Sequence, residues 1–305
     1  MVFAYLKFLW QSTNEHGVHS PFVFKLVTEC FYKNKRHYEF RTLRQFRQSI
    51  LKNKKTITIT DFGAGSKVFK SNSRPVNQIA KTSGISPKRA ELLFKIVLYF
   101  KPNTILELGT NLGLATAALA LGNSKAKIIT IEGCPETAKI AQNNFYKFGF
   151  QNIELVVSKF EEFLGIRQKA LGNSQISYSN RQSAVGSEQS AIGNRQWAIG
   201  SELSAGGNNE KPNTQNPIPK AKYDFIFFDG NHSYEATLLY FESLLDTATN
   251  DSVWIFDDIH WSKEMERAWE VIKNHPKVTV TIDTFYWGLV FFRIEQKKEH
   301  FTIRV

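Results

Sequence analysis

Apolar residues follow two rhythms along the chain. From residue 84 onward, short apolar runs at Ile105–Leu108, Ile128–Ile131, Ile153–Val157, Phe225–Phe228 and Val253–Phe256 read as parallel strands buried on both faces. Between them lie stretches of helical period, at about 87–100, 113–122, 136–148, 234–247 and 262–274. This alternation predicts a doubly wound α/β sheet of Rossmann-like type. The rhythm changes near the end. Val278, Val280 and Ile282 alternate with polar residues, Tyr286-Trp287-Gly288 interrupts, and Leu289–Phe292 follows, as in an antiparallel hairpin. Ahead of the sheet, Ser20-Pro21 is a helix-start signal. A second helix is predicted at about 36–53, with Phe40, Leu43, Phe46, Ile50 and Leu51 on one face and basic residues on the rest. The expected organisation is a basic helical extension over 1–83 and a catalytic-type α/β domain over 84–305.

One stretch fits neither rhythm. From 166 to 207 the chain is divisible into units of seven, clearest at Asn180–Gly186, Ser187–Gly193, Asn194–Gly200 and Ser201–Gly207. A coiled coil is excluded. The apolar positions are adjacent rather than an a/d pair, and a Gly in nearly every unit costs about 1 kcal/mol in a helix. With the polar, Pro-containing residues that follow, 166–221 reads as a low-complexity insertion, expected to be disordered.

Composition narrows the class. Hydrophobic residues make up 42% and aromatics 13% of the 305 residues, too rich for a disordered chain. The best membrane candidate, Leu92–Phe100, is short and carries Lys95, so no transmembrane helix is expected. The start lacks the pattern of a secretory leader, and Cys30 and Cys134 are too few for a disulfide framework, so a cytoplasmic location is expected. The net charge of +11 is concentrated early: residues 1–55 hold eleven Lys or Arg against three Glu. Such an arm suits an anionic partner, nucleic acid or a membrane surface, or is a solvated helix face. His16 and His19 form a His-x-x-His pair with no third ligand nearby in sequence.

The chemistry concentrates after the strands. Thr104-Ile-Leu-Glu107-Leu-Gly109-Thr110-Asn111-Leu-Gly113 is a buried strand entering a glycine turn and an Ala-rich helix. Glycines let a ligand approach the backbone, and the helix N-terminus offers free amides. The four-residue Gly109–Gly113 spacing disfavours a dinucleotide pyrophosphate, which wants Gly-x-Gly-x-x-Gly. At the end of the next strand Glu132 could accept both hydroxyls of a ribose. Farther on, Asp229-Gly-Asn-His232 and Asp257-Asp258 place carboxylates after two more strands, at the crevice end of a parallel sheet. Hard cations such as Mg²⁺ favour such oxygens, although the same carboxylates can hold a polar ligand without metal. Thr56–Ser66, with Gly63 and Gly65, imitates the strand-and-turn pattern but lacks a following acidic strand end, and reads as a loop ahead of the core.

These motifs resemble the class I S-adenosylmethionine-dependent methyltransferases, over roughly 84–305 outside the insertion. The resemblance implies S-adenosylmethionine as cofactor and a seven-stranded sheet ending in an antiparallel hairpin. It assigns Glu107, Gly109, Thr110, Asn111 and Gly113 to the methionine part of the cofactor. Glu132 falls to the ribose, and Ser158 and Phe160, by position, to the adenine. The second cluster is similar to small-molecule O-methyltransferases of the catechol and caffeoyl-CoA type. There Asp229, Asp257 and Asp258 correspond to metal ligands, with Mg²⁺ as a possible second cofactor, and Asp229 and His232 to catalytic groups. Asp258 stands where that pattern has Asn, and His232 where it has Lys. The implied activity is methylation of a small-molecule acceptor at oxygen. A nucleic-acid methyltransferase or a non-catalytic binding module built on the basic arm are the alternatives; no Asn-Pro-Pro-Tyr type motif occurs at Asp229.

Overall fold

Serine caps start many of the helices. Ser20, Ser86, Ser233 and Ser262 each accept a hydrogen bond from the backbone N–H three residues on, and Pro follows two of them at the first helical position. In this computed structural model, residues 2–60, 62, 71–166 and 222–305 are described. The repeat-bearing insertion, from 167 to 221, and the Gly63–Gly65 turn lie outside them. The N-terminal part comprises helices α1 (Val2–Gln11), α2 (Pro21–Leu26) and α3 (Glu39–Leu51), the short antiparallel strands β1 (Thr56–Thr58) and β2 (Ser73–Pro75), and helix α4 (Val76–Thr82).

The remainder alternates as the pattern predicts: α5 (Pro87–Phe100), β3 (Thr104–Leu108), α6 (Leu114–Gly122), β4 (Lys127–Glu132), α7 (Pro135–Lys147), β5 (Ile153–Val157) and α8 (Phe160–Phe163). After the insertion come β6 (Phe225–Phe228), α9 (Tyr234–Leu244), β7 (Val253–Asp257), α10 (Lys263–Asn274), β8 (Val280–Asp283), β9 (Trp287–Phe291) and β10 (Glu299–Thr302). The sheet has eight strands in the order β10-β8-β9-β7-β6-β3-β4-β5, one more than the seven expected. The expected hairpin is β8–β9, with β9 antiparallel to both β7 and β8. The additional strand, β10, runs parallel to β8 at the edge. Its Glu-His-Phe-Thr sequence has no apolar run to announce it, because an edge strand is only half buried.

Strand residues alternate between two cores. Ile105, Phe225, Phe227, Ile255 and Leu289 face the layer that contains α3, α5, α6 and α7. Leu106, Ile226, Phe228, Trp254 and Val290 face α9 and α10. The basic helix α3 belongs to the first core: its Leu43, Phe46 and Ile50 are buried, and the Phe46 ring meets that of Phe148 at 5.1 Å. Removing a fully buried ring of this kind costs about 3–5 kcal/mol, so the extension is packed onto the sheet through its apolar stripe; Arg41 and Arg44 face outward, while the half-buried Arg47 donates to the Ile85 carbonyl at 2.6 Å. The chain order reverses between β3 and β6. Successive strands run outward from β3 through β4 to β5, and then from β6 through β7 on the other side. A crevice opens at the carboxyl ends beside such a switch point.

Candidate active site at the strand ends

The crevice is a cavity of about 350 Å³ at the ends of β3, β4, β6 and β7, within the range of small-molecule sites. On one side lies the glycine turn. Gly109 has φ +111°, and a Cβ there would stand 2.1 Å from the Asp229 carbonyl oxygen, so this position admits only glycine. The Gly109 and Thr110 amides both donate to the Ile131 carbonyl, at 3.0 and 3.1 Å, which ties the turn to β4. Asn111 adopts the left-handed conformation, φ +49°, and lines the cavity. Its side-chain amide donates to the Ser83 carbonyl at 3.3 Å.

Glu132 closes this wall. One carboxylate oxygen accepts the Asn111 amide at 2.7 Å and the other the Cys134 amide at 2.9 Å. The side chain therefore fixes the glycine turn as well as facing the cavity. Its pKa is raised by desolvation, partly offset by those amide donors. Ser158 and Phe160 line the cavity after β5. The Phe160 ring packs over Gly230, where a Cβ would come within 2.5 Å of it, and meets Tyr240 edge-on at 5.5 Å. Tyr240 donates to Glu161 and accepts from the Asn231 side chain.

Five of the eight residues expected to hold cofactor thus border the cavity; Glu107, Thr110 and Gly113 do not. Thr110 is buried, its hydroxyl 2.5 Å from that of Thr130. Gly113 begins α6 at φ +79°, and a Cβ there would strike the Phe145 ring at 2.5 Å. Its requirement for glycine is therefore one of packing against α7, not of ligand approach. Glu107 lies fully buried beneath the turn and accepts the Thr116 and Thr130 hydroxyls, both at 2.5 Å on Oε2. Its Oε1 has no partner. Burial pushes its pKa up to about 7, against the lowering effect of the two threonines. These three belong to the same contiguous motif as Gly109 and Asn111, but strand alternation and helix packing turn their side chains, or the space beside Gly113, away from the cavity.

The opposite wall is acidic. Asp229, His232 and Asp257 offer ligand atoms within 4.8 Å of one another, and His232 Nε2 is 3.9 Å from Asp229. Asp258, expected as a metal ligand, falls outside this group. It has φ +54° and stands 4.0 Å from the Arg89 guanidinium. Burial, followed by repulsion from Asp257, raises the Asp229 pKa well above the usual carboxylate range. Asp258 is raised to about 6, chiefly by burial and then by Asp257, with His232 and Arg89 acting the other way. The two carboxylates offer oxygens that suit Mg²⁺ or a similar hard cation, and their mutual repulsion in a poorly solvated site calls for a counter-charge.

Part of that charge comes from Arg89, which donates to Asp257 at 3.1 Å and stacks over the Tyr286 ring at 4.8 Å. Sequence reasoning missed Arg89. The available signal was its place in the first turn of α5, where a cation opposes the helix dipole and needs an acid partner from elsewhere. The N-terminal extension supplies a further wall: Ile59, Thr60 and Phe62, from the Thr56–Ser66 stretch, border the cavity together with Arg74 and Ile79. Cys134 joins the two parts, accepting the Thr60 amide at 3.4 Å.

Comparison with known proteins follows this geometry. Residues 205–259, which include β6, α9 and β7 with Asp229, His232 and Asp257, match the family described as "Methyltransferase domain". The structure of Podospora anserina methyltransferase PaMTH1, bound to SAH, superposes with a TM-score of 0.51 at 11% identity, covering 90% of this chain and 97% of that one. The chain shares the fold of that methyltransferase. The O-methyltransferase from Bacillus cereus in complex with SAH gives a TM-score of 0.47 at 16% identity, covering 86% and 94%. TomG, an O-methyltransferase of Streptomyces achromogenes involved in tomaymycin synthesis and solved with SAM, gives 0.47 at 15%, covering 89% and 95%. No curated protein matches by sequence. Within the methyltransferase fold, the matched segment brings the acidic wall, and β3, α6 and β4 the wall of the glycine turn. Among the described residues no helix is long and apolar enough to cross a membrane.

Proposed function

We propose that the cavity binds S-adenosylmethionine along the Gly109–Glu132–Phe160 wall and transfers its methyl group to a hydroxyl oxygen of a small molecule held at the acidic wall. The observation that carries this reading is the meeting, in one cavity at the switch point, of a strand-end glutamate beside a glycine turn with Asp229, His232 and Asp257. Glu132 lines the cavity with a carboxylate that can accept a ribose hydroxyl. Gly109 and Asn111 border the methionine end, and Ser158 and the Phe160 ring border the adenine. The cofactor named with the Podospora and Bacillus proteins is in keeping with this assignment.

Methyl transfer is an in-line displacement: the acceptor oxygen forms the new bond to carbon as the sulfonium–carbon bond breaks and its electron pair returns to sulfur. The acceptor proton must leave. His232, next to Asp229, is the group placed to take it, and holding the two reactants in line supplies much of the rate. Asp229 and Asp257 are also the residues that would hold Mg²⁺, which would lower the pKa of a coordinated hydroxyl and leave His232 free to take the proton. The acidic wall argues against a nucleic-acid acceptor, because three aspartates around the transfer site repel phosphates while Arg41 and Arg44 of α3 lie on the outer surface.

The test is transfer of a labelled methyl group from S-adenosylmethionine to a panel of phenols and other hydroxyl compounds. With an acceptor found, His232→Ala should lower turnover by roughly 10²-fold or more while leaving cofactor affinity in place. Cofactor binding with no transfer to any acceptor class would favour a non-catalytic binding module. Full activity of His232→Ala would remove the histidine from the chemistry.

A further inference from the structure

Helix α1 is apolar on both of its sides. Phe8 is buried and, with Tyr5, packs on Phe285, the rings of Tyr5 and Phe285 meeting edge-on at 4.8 Å. That contact anchors the helix and leaves the opposite side bare. Phe3, Leu6 and Trp10 are 87%, 56% and 87% exposed, and Lys7 is exposed beside them. Spaced at i, i+3, i+4 and i+7, these four residues share one helical face. A water-facing helix ordinarily carries polar residues there, and two large aromatics almost fully in solvent mark a face with an occupant.

The charge beside this face says which occupant. Arg304 bonds the end of α1 through the Leu9 carbonyl and the Ser12 hydroxyl. The Tyr32 hydroxyl donates to the Arg304 carbonyl at 2.6 Å, which brings the start of the exposed Lys33, Lys35 and Arg36 loop to the same end of the molecule. Glu15, partly buried, is the acid near Tyr32. A second copy of the chain seated on the stripe by two-fold symmetry would set these cations against their own equals. A surface of anionic lipid complements them. At ten residues α1 is about 15 Å long, too short to cross a bilayer but suited to lie in its headgroup boundary, with Trp and Phe inserted and Lys7 reaching back to the phosphates.

We propose that the Phe3–Leu6–Lys7–Trp10 face of α1 docks the protein on a bilayer of anionic phospholipid. The face is on the acidic side of the cavity: Phe285, under α1, is followed by Tyr286, over which Arg89 stacks as it binds Asp257.

Co-sedimentation of the full chain with vesicles tests this directly. Vesicles of equal parts phosphatidylglycerol and phosphatidylcholine should carry down the protein, those of phosphatidylcholine alone far less, and high salt should release it. Phe3→Ser combined with Trp10→Ser should weaken binding at least tenfold with an unchanged melting temperature, since both side chains are exposed. Lys7→Glu should weaken binding severalfold at low salt and leave the apolar face intact. Failure to sediment with anionic vesicles would overturn the proposal, as would undiminished binding by the double variant. A dimer in sedimentation velocity that dissociates on the same substitutions, without vesicle binding, would assign the face to self-association instead.

Discussion

Glu107→Gln makes the energetics of the buried turn measurable. The wild-type carboxyl is fully enclosed, accepts two threonine hydroxyls on one oxygen and has nothing on the other. Its pKa rises from an ordinary 4.5 to about 7 on folding. The folded state therefore holds a proton that the unfolded chain has lost across that interval, and stability falls as pH rises through it. At about 1.4 kcal/mol per pH unit, the loss is about 3 kcal/mol between pH 4.5 and 7, complete above pH 7 and absent below 4.5. Glutamine keeps an oxygen for the threonines and cannot ionise. Its amide brings its own cost, but that cost does not vary with pH. Urea unfolding of both proteins at intervals from pH 4.5 to 8.5 follows the effect: the elevated carboxyl of Asp258 contributes alike to each, and that of Asp229, which repulsion from Glu107 also raises, changes the difference in the same direction. The stability of Glu107→Gln relative to wild type should improve by about 3 kcal/mol from the acid to the alkaline end. A difference that stays constant with pH would refute the argument, since it would mean that Glu107 is charged throughout or has a partner for its second oxygen.

Other outcomes follow from single contacts. Gly113→Val should destabilise the fold by about 3 kcal/mol or more, through a side chain forced into Phe145 at a left-handed backbone position; thermal melting checks it, and an unchanged melt with lost cofactor affinity would return Gly113 to the ligand. Arg89→Met strips Asp257 of its cation and should cost about 3 kcal/mol at pH 8, as removal of one partner of a buried pair does. The cost should shrink as pH falls through the raised pKa values of Asp229 and Asp258, where the carboxyls protonate. Added Mg²⁺ should raise the melting temperature of Arg89→Met more than that of the wild type; equal shifts would show that Arg89 and a cation do not compete for Asp257.

The sheet was legible because its central parallel strands β3, β6 and β7 are apolar runs buried on both sides, as Phe225–Phe228 shows in its simplest form, and because helical periods fill the gaps. The strand-end carboxylates Glu132, Asp229 and Asp257 were legible for the same reason: where a buried run stops, the next polar residue faces the crevice. What sequence order could not convey is direction and distant company. Thr110 and Gly113 sit inside the ligand motif, yet the turn points one to Thr130 and the other to Phe145. Arg89 meets its acid 168 positions away, and Phe62 reaches the cavity from an extension that reads as separate. The edge strand β10 escaped because half-buried polar residues carry no strand signal of their own.

Glu132 organises the proposed cofactor wall, tying the glycine turn to the start of α7. Isothermal titration of the full chain with S-adenosylhomocysteine, repeated on Glu132→Gln, measures it most directly. The wild type should bind one molecule, and the variant, which loses an anionic acceptor for the ribose and for one turn amide, should bind about 10–100-fold more weakly, equivalent to roughly 1.5–3 kcal/mol. No heat of binding to the wild type, or equal affinity of a folded Glu132→Gln, would contradict the assignment of this cavity to S-adenosylmethionine.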